Sequence, residues 1–186
     1  MADEHSGEVD ELLADLARWA ADTRVEEAAA ERSRERWLRQ QSAEQARLTG
    51  IVLDLVEQGA TATVATTGGR QHRGTVVAVG EDFVALAPGP RSVVLVAFAA
   101  ITLLRPPPGQ ADSTGDRSPQ HSAWLADVLT GLAGDRAHVR IAMGPDVVSA
   151  EVRAVGADVV TLRVDGAPPT TAYARLSAVT EVWLGV

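Results

Sequence analysis

The feature that most constrains the fold of this chain is an internal repeat. Residues 74–86 (GTVVAVGEDFVAL) align with residues 150–162 (AEVRAVGADVVTL) at a constant offset of 76. Residues 97–104 (AFAAITLL) align with residues 175–182 (RLSAVTEV) at an offset of 78, so the hairpin between them is two residues longer in the second copy. An amphipathic segment that ends at glycine precedes each copy. The sequence therefore predicts one structural unit built twice.

Each copy has the pattern of short strands. Val and Thr, which favour strands, are frequent from residue 61 onwards. Turn signals interrupt this stretch at Gly68-Gly69, at residues 80–82 and at residues 88–90. The spacing predicts five strands in the copy, led by a helix that starts near Leu48 and ends at Gly59.

An arm and a linker account for the rest of the chain. Strong helix formers, many of them charged, dominate the arm, and residues 8–22 have the period of an amphipathic helix. Ser118-Pro119 is typical of a helix start and predicts the beginning of the second leading helix, which ends near Gly134. We therefore expect four parts: a charged helical arm (1–47), a first unit (48–105), a Pro/Gly-rich linker (106–118) and a second unit (119–186).

Composition excludes several kinds of chemistry. The chain of 186 residues contains no cysteine, which removes disulfides, thiolate catalysis and cysteine-ligated zinc. All 17 basic residues are arginine, so the chain has neither the lysine of a phosphate-binding loop nor that of a Schiff-base enzyme. The 4 histidines are scattered without ligand spacing. We therefore expect no enzymatic activity, no metal and no cofactor.

Charge and hydropathy narrow the choice of partners. A net charge of −8 opposes binding to phosphate backbones as a whole. No apolar run approaches the roughly 18 residues of a membrane span, and the acidic N-terminus is unlike a signal peptide. Aromatic content of 4% is low for a ligand pocket. We expect a cytoplasmic protein with no membrane contact and no small-molecule substrate.

The first copy resembles the Sm/LSm-like family of small β-barrels. The family pattern has a Gly in a long second strand and an Asp before the third, which Gly74, Asp82 and Leu86 match. In the second copy Asp158 and Leu162 match it. The resemblance implies an α+β fold in which two tandem helix-plus-five-strand barrels follow the arm. The family's RNA-binding motif is absent, since residues 98–101 read Phe-Ala-Ala-Ile.

Trp37 and Leu38 are the candidate contact for a protein partner. They lie in a highly charged helical segment with no core of its own, and Trp beside Arg is typical of interaction hot spots. Trp19 is a further candidate. The alternative is that Trp37 and Leu38 fold back onto Trp19 or onto a barrel. Trp124 and Trp183 are expected to pack within the second unit.

Arg70, His72 and Arg73 are the candidate contact for nucleic acid. They form a small basic cluster just after the Gly68-Gly69 turn, and the alternative is a solvated hairpin. The paired turn residues Asp82 and Asp158 invite a metal or catalytic interpretation, but a local hydrogen bond within a tight turn explains them better.

These features favour a non-enzymatic adaptor or regulatory protein. It would act through protein contacts of the helical arm and of the barrel surfaces, and strand edges make self-association a further option. The alternative is an RNA- or DNA-binding regulator that uses the Arg70–Arg73 face.

Overall fold

The computed structural model describes residues 31–38, 40–41, 44, 46–109, 115 and 123–185. The chain divides into two compact units, Met1–Glu44 and Gln45–Val186. In the first unit the described residues are helical and exposed, as the arm composition predicts. The helix predicted over residues 8–22 lies outside the described residues. Division of the second unit into separate domains at residues 105 and 118 stays a prediction.

The second unit contains the repeat, as a helix followed by five strands in each copy. The first copy comprises α1 (Leu48–Glu57), β1 (Thr61–Thr66), β2 (Gln71–Val79), β3 (Phe83–Gly89), β4 (Ser92–Ala97) and β5 (Ile101–Arg105). The second comprises α2 (Leu125–Gly134), β6 (His138–Met143), β7 (Asp146–Val155), β8 (Val159–Val164), β9 (Thr170–Arg175) and β10 (Val179–Leu184). A single 3₁₀ turn, Phe98–Ala100 or Leu176–Ala178, precedes the last strand of each copy.

The prediction of two Sm-like barrels is wrong. All ten strands form one open antiparallel sheet in the order β5-β1-β2-β3-β4-β10-β6-β7-β8-β9. The two copies meet where β4 pairs with β10, while β5 and β9 are the edges of the sheet. The chain is thus mostly β rather than a pair of α+β barrels, and the structure does not support membership of the Sm/LSm-like family. Alternating hydrophobicity specifies hairpins, but the choice of partner for an edge strand depends on edge side chains that the repeat pattern does not reveal.

The end of α1 follows the prediction. Gly59 has a φ of 57°, the left-handed conformation that glycine adopts without a Cβ clash. The N–H of Gly59 donates to the carbonyl of Val56, and the N–H of Ala60 donates to that of Leu55. These two bonds form a Schellman motif, which turns the chain from the helix into β1.

The start of α2 differs from the prediction. The helix begins at Leu125, after an extended Trp124, and not at Ser118-Pro119, which lies outside the described residues. Asp127 accepts a hydrogen bond from the Trp124 N–H at 2.9 Å. Asp82 accepts one from the Leu125 N–H at 2.7 Å, so this carboxylate caps a helix of the other copy rather than its own turn.

The two copies also share their apolar cores. The cluster beneath α2 contains Phe83, Ala85 and Leu95 of the first copy. The cluster beneath α1 contains Trp183 of the second copy among its partly buried members. The expectation that Trp124 and Trp183 pack within the second copy (119–186) was therefore wrong, since Trp183 packs against the first copy and Trp124 is 54% exposed.

Asp82→Ala removes the carboxylate that caps α2. We expect the free energy of unfolding to fall by about 1 kcal/mol, the usual cost of a lost helix cap, in a urea titration followed by circular dichroism. Asp158→Ala, at the equivalent turn, is the matched control, since no capping bond from Asp158 is found in the described part of the chain. Equal losses in both variants would contradict the capping role.

Candidate functional site

Two of the three residues in the predicted basic cluster point into the molecule. His72 is 9% exposed, and its Nε2 lies 2.7 Å from Oε2 of Glu181. The Arg70 guanidinium donates from Nε to Oε2 of Glu181 at 2.8 Å and from Nη2 to Oε1 at 3.0 Å. Arg73 is exposed to solvent. The three side chains therefore do not form one exposed basic face.

Glu181 on β10 is the common acceptor of this network, and its side chain is fully buried. Besides the bonds from Arg70 and His72, its Oε1 accepts a hydrogen bond from Thr66 Oγ1 at 2.6 Å. These partners belong to β1, β2 and the turn between them, all in the first copy. One carboxylate of the second copy therefore holds the β1–β2 hairpin of the first. We call Thr66, Arg70, His72 and Glu181 the seam network.

Arg70 extends the seam network to the β6–β7 turn. Its Nη2 donates to the Gly144 carbonyl at 2.6 Å, and its Nη1 donates to the Pro145 carbonyl at 3.2 Å. The space around Gly68 is so restricted that a Cβ there would lie 2.5 Å from the Gly144 oxygen. The Gly68-Gly69 turn is thus needed for packing between two hairpins, which explains the glycine in structural terms.

The environment of Glu181 acts on its pKa in two directions. Burial raises the pKa, because desolvation disfavours the charged form. Hydrogen bonds from His72, Arg70 and Thr66, together with the charge of His72, lower it and outweigh burial, so the pKa falls from 4.5 to about 2. The carboxylate is therefore ionised at neutral pH.

Trp183 completes this region beside the seam network. Its ring meets His72 edge-on with centroids 5.6 Å apart. The guanidinium carbons of Arg140 and Arg70 lie 5.0 Å and 5.9 Å from the centre of the indole ring, within the range of cation–π attraction. Trp183 thus links arginines from both copies.

A cavity of about 800 Å³ lies between equivalent turns of the two copies. Its walls include Asp82 and Phe98 from the first copy and their counterparts Asp158 and Leu176 from the second. Acidic side chains over an apolar wall suit basic and apolar groups of a partner. In this cavity Asp82 already accepts the hydrogen bond from α2, which is a structural use.

Other kinds of site find no support in the described residues. No group of three His, Asp or Glu side chains there could hold a metal ion. His138 pairs with Asp165 at 2.8 Å on the surface. No helix in the same ranges has both the length and the apolar character needed to cross a membrane.

The candidate partner contact on the arm is exposed. Trp37 is 60% exposed and Leu38 is 50% exposed. Neither side chain is buried, and the alternative in which they fold back onto Trp19 or onto the repeat stays a prediction. Trp19 lies outside the described residues.

Sequence reasoning missed Glu181, although a signal was present in the repeat alignment. Glu181 is aligned with Leu103, so an acid replaces an apolar residue in an otherwise apolar strand. In the same alignment Arg70 and His72 correspond to Asp146 and Val148. Two such changes in opposite copies are what a buried ion pair between the copies produces.

Comparisons of the chain with protein-family models, with curated proteins and with solved structures find no match.

Acid titration of stability tests the seam network. Because the folded pKa of Glu181 lies below 4.5, its contribution is present above pH 4.5 and is lost as the pH falls towards about 2. The difference corresponds to about 3 kcal/mol. In Glu181→Gln we expect that pH-dependent part to be absent and stability at pH 7 to fall by about 3 kcal/mol, since a buried charged partner is left without its counterpart.

Urea titrations at pH 7 and pH 3 measure this effect. Glu151→Gln is the control, because Glu151 is 21% exposed and its pair with Arg153 lies at the surface of the sheet, where about 1 kcal/mol or less is at stake. Identical pH dependence in the wild type and Glu181→Gln would contradict the account.

Proposed function

We propose that this chain is a non-enzymatic adaptor or regulatory protein that binds a protein partner through its helical arm. The observation that carries the proposal is the pair Trp37 and Leu38, which are 60% and 50% exposed on adjacent positions of the arm helix. Trp is the residue type most enriched at the energetic centre of protein interfaces.

The surroundings of this pair support a binding surface rather than a solvated helix alone. Every described residue from 31 to 38 is exposed, and all of them except Ser33, Trp37 and Leu38 are charged. Arg36 Nε donates to the Arg32 carbonyl one turn away, which keeps that side chain along the helix. An apolar centre within a charged rim is the arrangement of a protein interface.

The alternative, a regulator that binds RNA or DNA, has lost most of its candidate residues. Arg70 and His72 are engaged with Glu181 inside the molecule. Of the predicted face only Arg73 is exposed, on a chain of net charge −8. One exposed arginine is a small basis for phosphate binding, which depends on several neutralised phosphates.

Trp37→Ala tests the partner contact. The immobilised wild-type chain and variant are incubated with extract of the source cells, and the retained protein is then purified and titrated against both. We expect the dissociation constant to rise roughly thirtyfold, as loss of about 2 kcal/mol at a hot spot gives. The melting temperature should stay the same, because the Trp37 side chain is 60% exposed.

Trp124→Ala is the matched control, since Trp124 is also a largely exposed tryptophan at 54% but lies on the other unit. It should retain the partner like the wild type. The proposal fails if Trp37→Ala and Trp124→Ala bind the partner equally well, or if Trp37→Ala lowers the melting temperature by several degrees.

Fluorescence anisotropy addresses the nucleic-acid alternative. With labelled single-stranded RNA and duplex DNA we expect no binding at near-physiological salt. Salt-sensitive binding that Arg73→Ala weakens while leaving stability unchanged would instead favour the alternative.

A further inference from the structure

The pairing of β4 with β10, here called the seam, joins the fourth strand of one copy to the fifth strand of the other. In its register Val96 lies opposite Glu181, Leu95 opposite Val182 and Val94 opposite Trp183. The seam therefore shows how two copies of the repeat pair through their edge strands.

Within the described residues, the two edge strands of the sheet are the counterparts of the seam strands. β9 corresponds to β4, because Tyr173 pairs with Thr161 as Leu95 pairs with Ala85. β5 corresponds to β10, because Leu103 pairs with Ala65 as Glu181 pairs with Ala142. One chain thus carries both halves of a second seam, at opposite edges.

Large apolar side chains are exposed on the edge strands at positions whose counterparts in the seam are buried. Leu95 is 4% exposed in the seam, and its counterpart Tyr173 is 74% exposed on β9. Glu181 is fully buried in the seam, and its counterpart Leu103 is 43% exposed on β5. Exposed apolar residues on the edge of a sheet mark a surface for association.

Neither edge strand has a charged residue or a proline in its middle. Charged or proline residues in the middle of an edge strand normally prevent strand pairing. β9 reads Thr-Thr-Ala-Tyr-Ala-Arg and β5 reads Ile-Thr-Leu-Leu-Arg, so each has a charge only at its last residue.

We propose that β9 of one molecule pairs with β5 of a second molecule of this chain, in the register of the seam. Transfer of that register places Ala174 opposite Leu103, Tyr173 opposite Leu104 and Ala172 opposite Arg105. Pairing ends there, because Pro106 has no N–H to donate. Since the two edges differ, the contact is heterologous, and every molecule joins two neighbours head to tail.

The side chains around the two edge strands favour a second molecule of this chain as the binding partner. In the seam the carboxylate of Glu181 meets Thr66 and His72. At the free edge of the second copy the counterparts of Thr66 and His72 are Met143 and Val148, both partly buried. Leu103 replaces the acid on the opposing edge. The seam residues are polar on both sides, and their counterparts at the outer edges are apolar on both sides. Leu103 of one molecule is therefore suited to pack against Met143 and Val148 of the next.

This assembly uses the sheet edges and does not depend on the arm contact of Trp37. Mixed single-cysteine variants test it, and the absence of natural cysteine makes them specific. Tyr173→Cys and Leu104→Cys are mixed in equal amounts and oxidised with copper phenanthroline. We expect a disulfide-linked dimer in the mixture and none in either variant alone, because opposite residues in a sheet lie within disulfide range.

The control mixture combines Leu104→Cys with Val77→Cys, since Val77 is 45% exposed but lies on the interior strand β2. It should give no dimer. Dimers of Tyr173→Cys with itself, or equal cross-linking in the control mixture, would overturn the head-to-tail contact.

Sedimentation velocity provides the second measurement. The wild type should form species larger than a dimer as concentration rises, and Tyr173→Asp should raise the concentration for half-assembly roughly tenfold or more. Val77→Asp places the same charge away from both edges and should assemble like the wild type. A wild type that stays monomeric throughout, or equal effects of the two variants, would overturn the proposal. Trp37→Ala should assemble normally, so failure here is distinct from failure of the partner contact.

Discussion

The buried carboxylate of Glu181 is the interaction on which the arrangement of the two copies depends. An ionised group inside a protein costs several kcal/mol unless partners compensate it. Its side-chain partners Thr66, Arg70 and His72 all come from the first copy. Only the observed pairing of β4 with β10 brings them to the carboxylate. A sheet assembled in another register would leave the charge buried and without them, so the seam network selects the register as well as stabilising it.

The two copies differ at the seam in residues that decide how strands pair. The seam inside the chain carries an acid and its donors, whereas the outer edges carry Leu103 and Tyr173. This difference separates two contacts that share the same backbone geometry. A strand with Glu181 opposite the apolar edge around Met143 and Val148 would lack donors for its charge, which disfavours the wrong pairing. The chain can therefore complete its own sheet before an outer edge engages another molecule.

Sequence patterns were informative about local structure and misleading about how the sheet is assembled. Turn signals and the left-handed Gly59 placed the strands of the first copy and the end of α1, because both depend on residues near in sequence. The pairing of β4 with β10 depends on contacts more than 80 residues apart, such as that of Val96 with Glu181, and the repeat alone was equally compatible with separate barrels. For the same reason Arg70 and His72 were interpreted as an exposed basic face, although a distant acid determines where they point.

Residue-resolved hydrogen exchange tests the single sheet most directly. In dilute protein the consecutive amides of residues 93–96 should all be protected, because β4 has β3 on one side and β10 on the other. In β9, which has only β8 beside it, protection should alternate along the strand. An alternating pattern in β4, like that of β9, would mean that the two copies are not joined through β10 and would contradict the account.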